Sequence, residues 1–268
     1  MFDALFTTTT EYKKLSHALS GKGACALFGL PASGRAQVYA ALCRQLDKPL
    51  CIVTPGEAEA TRFAADLNTL GIPAAVFPAR DYVLRPIEGT AREYEYRRLA
   101  VLGELVGGRL RAVAVPAEAL TQFTTPKEDF CANTRTLHAG DTLLRDDLLA
   151  ALFGAGYTRR AQVDGPGQFS VRGDIVDIFA PDQKMPVRME FWGDEIDTLH
   201  TFDLTTQRRE DAIDKFYLSP AREVLFGKPA DAAEQLRAFL AKQRGKKKTA
   251  MTDCMAADLD LLDGGAVP

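Results

Sequence analysis

The sequence predicts a parallel α/β sheet followed by a small antiparallel β domain. Three observations predict it. Short apolar runs alternate with amphipathic helical patterns as far as residue 115. Two glycines at phosphate-loop spacing, Gly29 and Gly34, join the first apolar run to the first of those helices. After about residue 122 the hydrophobic period changes to two, and glycine-centred turns appear.

The apolar runs are ACALFG at 24–29, PLCIV at 49–53, AAVF at 74–77 and RAVAV at 111–115. Between them, Val38, Ala41, Leu42 and Leu46 repeat at helical spacing, as do Ala60, Phe63, Ala64, Leu67 and Leu70. Tyr94, Val101, Leu102 and Leu105 outline a third helix, with the stem of Arg98 on the same side. Strand and helix in this rhythm imply parallel strands with crossover helices. The stretch QFTTPKEDF reads as a linker, and Leu148, Leu149, Leu152 and Phe153 share one face of a short helix ended by Gly154 and Gly156. From 157 to 205 the pattern is β: Phe169 and Val171 alternate with polar neighbours, as do Val187, Met189 and Phe191. Gly165-Pro166-Gly167, Arg172-Gly173-Asp174 and Gly193-Asp194 supply turns. Beyond residue 206, IDKFYLSP is strand-like, and Ala232, Ala233, Leu236, Phe239 and Leu240 outline a helix. A weakly patterned tail follows, as expected of a chain cut from something longer.

The 268 residues, 46% apolar and 26% charged, suit two ordinary globular domains. A net charge of -3 gives no global reason for tight nucleic-acid binding. Five cysteines form no C-x-x-C pair, and Cys25 and Cys51 fall in apolar runs where a free thiol acts as a small hydrophobe. Three scattered histidines leave no metal-ligand pattern, so neither a metal nor another cofactor is expected. No leader pattern or membrane-length apolar run is present, and a cytoplasmic location is expected.

In a phosphate loop, successive backbone amides and a helix N-terminus surround the phosphates, lysine adds charge, and a hydroxyl ligates magnesium. Here Arg35 and Ala36 stand in the lysine and hydroxyl positions, and Pro31 removes one lining amide. Taken as residues alone, Gly29 and Gly34 fit either a plain strand-to-helix turn or the remains of a nucleotide site. Either way, catalysis of hydrolysis is not expected.

The most specific stretch runs from residue 167 to 208. Its words F-x-V-R-G-D-I-V-D-I-F, V-R-M-E-F-x-G-D-E-I-D and F-D-x-x-T-Q-R closely resemble the UvrB interaction domain. That domain is shared by the excision-repair protein UvrB and the N-terminal module of the bacterial transcription–repair coupling factor. The likeness extends to LLAALFGAGYTRRAQV at 148–163 and, more loosely, to FPARDYVLRP at 77–86. The damaged loop, and the absence of a long tyrosine-rich hairpin after RDYVLRP, resemble the coupling-factor branch.

The resemblance implies a helicase-like (RecA-like, P-loop-NTPase-like) domain with a degenerate Walker A over 1–122, and an inserted α+β domain with an antiparallel sheet over 123–205. A return segment over 206–268 would pack on the first domain. It further implies a non-catalytic module that recruits UvrA to RNA polymerase stalled at DNA damage. RNA polymerase and DNA would be contacted through other domains of the full protein. By motif position the UvrA contacts fall on Arg159 and Arg172, with Phe169 open between interface and core. Arg160 makes the first assignment ambiguous by one position, and neighbours on a strand face opposite ways. Ser170 stands where UvrB has a further arginine. Without the resemblance, the charges of this stretch read as a solvated sheet face, and Lys246-Lys247-Lys248 as a solubilising surface. The rival reading is a divergent UvrB-type ATP-dependent helicase fragment with residual nucleotide binding.

Overall fold

The computed structural model describes residues 7–21, 24–46, 48–80, 92–225 and 229–264. The chain divides into two compact units, one drawing on Met1–Arg80 and Ala100–Phe123, the other on Asp81–Leu99 and Thr124–Pro268.

In the first unit, helix α1 (Thr10–Ser20) begins at Thr9, whose hydroxyl accepts a hydrogen bond from the Tyr12 amide. Tyr12 and Leu15 pack on Val38, Ala41 and Leu42 of α2 (Ala32–Gln45), the apolar stripe the spacing predicts. Strand β1 (Leu50–Thr54), helix α3 (Glu57–Thr69), strand β2 (Ala74–Val76) and strand β3 (Ala112–Pro116) build a parallel sheet of order β1-β3-β2. Ala60, Phe63, Ala64 and Leu67 line the buried side of α3. The Asn68 amide then bonds the main chain of both Ala64 and Ala74, tying the end of that helix to β2.

The run ACALFG departs from expectation. Residues 24–28 join no sheet, and Phe28 is 88% exposed, because apolar residues become a strand only where an edge pairs with them. Cys25 and Cys51 are likewise exposed rather than packed as small hydrophobes.

Helix α4 (Glu93–Val106) crosses the division between the units, and α5 (Ala117–Leu120) is a single turn after β3. On α4, Arg98 is buried outright rather than laid along a surface. Its guanidinium meets Glu223 at 2.8 Å, and the same carboxylate accepts from the Thr124 hydroxyl at 2.7 Å. The Glu223 amide in turn donates to Glu95 at 2.8 Å.

The second unit opens with α6 (Lys127–Ala132), a helix inside the stretch expected to be a linker; it buries Phe130. Strand β4 (Arg135–His138) pairs with β11 (Lys215–Leu218). Helix α7 (Arg145–Gly154) packs Leu148 and Leu152 into the core. The main sheet has six strands in the order β10-β9-β8-β7-β6-β5. They are β5 (Thr158–Arg159), β6 (Gln168–Arg172), β7 (Ile175–Phe179), β8 (Val187–Trp192), β9 (Glu195–Phe202) and β10 (Arg209–Ala212). All pairings are antiparallel except β5 with β6. The sheet therefore extends past residue 205 into the stretch expected to open a return segment.

Phe169, Val176, Ile178, Val187, Met189, Ile196 and Leu199 form the sheet's core face, as the period-two pattern predicts. Helices α8 (Pro229–Lys242) and α9 (Gly245–Asp263) end the described chain, joined by an Arg237–Asp263 ion pair. The side chains of Lys246, Lys247 and Lys248 lie outside the described residues, as does most of RDYVLRP.

Candidate partner-docking surface

Pairing register assigns each strand residue to a face of the six-stranded sheet, because paired residues point the same way. Arg172 pairs with Ile175, which pairs with Glu190. Ser170 pairs with Asp177, which pairs with Arg188, which pairs with His200. These residues occupy the face opposite the core, and the bland expectation of a solvated polar face fails at its centre. Ser170, Asp177 and Arg188 are all buried there.

Burial of charge requires pairing, and the pairing is explicit. Arg188 grips Asp177 with Nε and Nη2 at 2.7 and 2.9 Å. Its Nη1 donates to the Gln207 carbonyl at 3.2 Å, and its guanidinium lies 4.7 Å from the Phe202 ring centre. Arg172 adds a third bond to Asp177, 2.7 Å from Nη2 to Oδ2, yet its side chain stays 47% exposed. That guanidinium is thus tied to a buried carboxylate while about half of its side chain meets solvent. The Ser170 hydroxyl is buried without a hydrogen-bond partner among the described residues.

The segment 203–208 reaches Arg188 from the side as a self-bonded turn. Asp203 accepts from the amides of Thr205 and Thr206 at 3.1 and 2.7 Å, and the Gln207 backbone takes a left-handed φ of 60°. Hydrogen bonding from Thr206, then from Thr205, holds the Asp203 carboxyl below its ordinary range.

Of the residues expected to touch a partner, the structure brings Arg172 to the surface and leaves Arg159 and Arg160 exposed. Arg159 pairs with Phe169 and therefore shares the core side of the sheet at its β5 edge. Alternation puts Arg160 on Arg172's side, and the Arg160 amide continues the ladder to the Phe169 carbonyl at 2.8 Å. Phe169, open between interface and core from the sequence, is fully buried and packs edge-on to Phe153 at 5.2 Å. A partner could reach its ring only by opening the core.

The phosphate-loop positions behave differently. Gly29 takes a left-handed φ of 82°, but α2 starts already at Ala32, so Gly34, Arg35 and Ala36 lie within its first turns. The Arg35 amide donates to the Pro31 carbonyl at 3.1 Å instead of facing an open cradle. Ala36 is buried, and a Cβ on Gly34 would meet the Pro31 ring at 3.2 Å. A cavity of about 210 Å³ beside this turn is bounded by Tyr12, Leu15, Leu27, Leu30, Gln37 and Val38, with Glu11 supplying charge of the wrong sign for a phosphate.

Comparison with known proteins decides what the β unit is related to. Residues 136–224 match the UvrB interaction domain. That span contains Arg159, Arg172, Asp177, Arg188 and the 203–208 turn. Over 226 residues the chain is 28% identical to the transcription-repair-coupling factor of Bacillus subtilis, covering 83% of this chain and 19% of that protein. It is 35% identical over 208 residues to the transcription-repair-coupling factor of Myxococcus xanthus, covering 74% of this chain and 17% of that one. The UvrABC system protein B of Chlorobium limicola is 28% identical over 226 residues, covering 79% of this chain and 32% of its own. The chain thus spans about a fifth of the length of the coupling factors it matches.

Within the segment that matches the UvrB interaction domain, Asp177 and Arg188 escaped the sequence reading. Asp177 stands amid an apolar strand and Arg188 on the polar beat of an alternating one, and only cross-strand register makes them partners. Among the described residues, no group of His, Cys, Asp and Glu could hold a metal ion. No helix among them is long and apolar enough to cross a membrane.

Proposed function

We propose that this chain is the N-terminal, non-catalytic module of a transcription–repair coupling factor, and that its UvrB interaction domain docks UvrA. The observation that carries the reading is the coincidence of two facts. The segment matching the UvrB interaction domain also presents Arg172 outward on a buried carboxylate. Arginine offers several donors in a rigid fork, suits carboxylates on a partner, and is enriched at interface hot spots. In the longer protein this docking would bring UvrA to RNA polymerase stalled at damage, with polymerase and DNA contacted by other domains.

The first unit serves as scaffold in this reading, its 29–36 turn a relic of a helicase-like P-loop domain. An early-starting helix, an amide already spent on Pro31 and the absence of both the lysine and the hydroxyl support that view. The rival reading, a helicase fragment with working nucleotide chemistry, requires a phosphate cradle, and the Arg35 amide bonded to Pro31 weighs against one.

Titration of UvrA with the chain and with the R160E/R172E double variant tests the docking reading, with Arg159→Glu, on the opposite side of β5, as the comparison. The double variant is expected to bind weaker by about 2–5 kcal/mol where the arginines are desolvated in the complex. A folded variant that binds like the parent would refute the assignment of these residues. Arg172→Ala alongside separates loss of contact from added repulsion.

A further inference from the structure

The longest exposed aromatic surface of the β unit is Trp192, the chain's one tryptophan, which is 82% exposed. It ends β8, where Met189 and Phe191 point into the core and Arg188 and Glu190 point away from it. Alternation therefore puts the indole on the face that carries Arg172. Ile175 and Glu190 lie between the two, joined by register. Two strand spacings across and two residues along separate Arg172 from Trp192 by about 12 Å, well inside a standard protein interface.

The charges on this face are unevenly matched. Glu190 is paired with Arg209, Asp174 with Arg145, and Asp177 with both Arg172 and Arg188. Arg160 is exposed and has no ion pair among the described residues, so the β5–β6 end carries surplus positive charge. At the other end Glu195, in register with Trp192, is an exposed carboxylate. The surface thus runs from cationic at Arg160 and Arg172, across half-buried Ile175, to an indole beside an acid. A complementary partner would bring a carboxylate to Arg172 and an apolar, non-acidic recess to Trp192.

We propose that Trp192 is the apolar anchor of the UvrA-docking surface, seated in such a recess while Arg172 binds an acidic side chain of the same partner. This rests on the docking reading above. An indole exposed to water on a hairpin has a large apolar area to bury and only two side-chain torsions to fix on binding, which is the usual make-up of an interface hot spot.

The test is the affinity of the whole chain for UvrA in the parent, Trp192→Ala, Trp192→Gln and Trp192→Phe. Because the side chain projects from the fold, all three should melt with the parent. The expected result is that Ala and Gln raise Kd about 30-fold while Phe stays within a few-fold. A Trp192→Gln chain that melts and binds like the parent overturns the inference and leaves the docking reading intact. A parent chain with no affinity for UvrA overturns both. If tryptophan removal instead abolishes self-association and spares UvrA binding, the face belongs to a second copy and the inference is overturned.

Discussion

At Asp177 one buried carboxylate accepts three hydrogen bonds from two guanidiniums, so removing it would strand one arginine inside the sheet and release another at its surface. Asp177→Ala is expected to cost about 3–5 kcal/mol of stability, read from chemical denaturation, because Arg188 stays buried without its counter-ion. Arg172→Ala should cost under about 1 kcal/mol, since that pair is half exposed and Asp177 keeps Arg188. This difference makes Arg172 usable in binding experiments and Asp177 a poor choice for them. Phe169→Ala should cost about 3–5 kcal/mol as a core truncation. A stably folded Phe169→Ala chain that had lost UvrA affinity would return that ring to the interface.

Single elements were legible wherever one period dominates. Helices α2 and α3 and strands β6 and β8 follow from their apolar spacing. ACALFG failed because apolarity alone does not provide a strand with a pairing edge. The tail was misread in the opposite sense: Met251, Met255 and Leu262 recur on one side of α9, but acidic and small residues among them dilute the stripe. The end of α7 was legible for a physical reason. Gly156 takes φ 84°, and a Cβ there would collide with Cγ of Arg222, so Gly156→Ala should destabilise the β unit by more than about 1 kcal/mol in a denaturant titration.

The 203–208 turn makes a pH prediction. Asp203 ionises more readily folded than unfolded, so its contribution is present above the ordinary aspartate range and fades as pH falls through the lowered folded value. Protection of the Thr205 and Thr206 amides, each exchange rate taken relative to its unstructured rate at the same pH, should fall over that acid window, and Asp203→Ala should remove the pH step. An unchanged step in Asp203→Ala would place its origin elsewhere.

At the scale of the molecule, the two units show why fold and function were unequally legible. The helix–strand alternation of the first unit predicted its parallel sheet, but two glycines could not distinguish a nucleotide site from a turn. The start of α2 at Ala32 is the geometry on which the proposed scaffold reading draws. The motif words of the second unit pointed to its relatives, while the Asp177–Arg188 platform needed a register that no linear pattern displays. Calorimetric titration with magnesium ATP is expected to give no saturable heat at micromolar concentration. Saturable binding with DNA-stimulated turnover would instead favour the helicase reading.

The docking account is tested most directly by isothermal titration of UvrA with the parent chain and with R160E/R172E, melting curves recorded in parallel. The account predicts saturable binding by the parent and a loss of about 2–5 kcal/mol in an equally stable double variant. Equal affinity of the two chains, or no affinity in the parent, would contradict it.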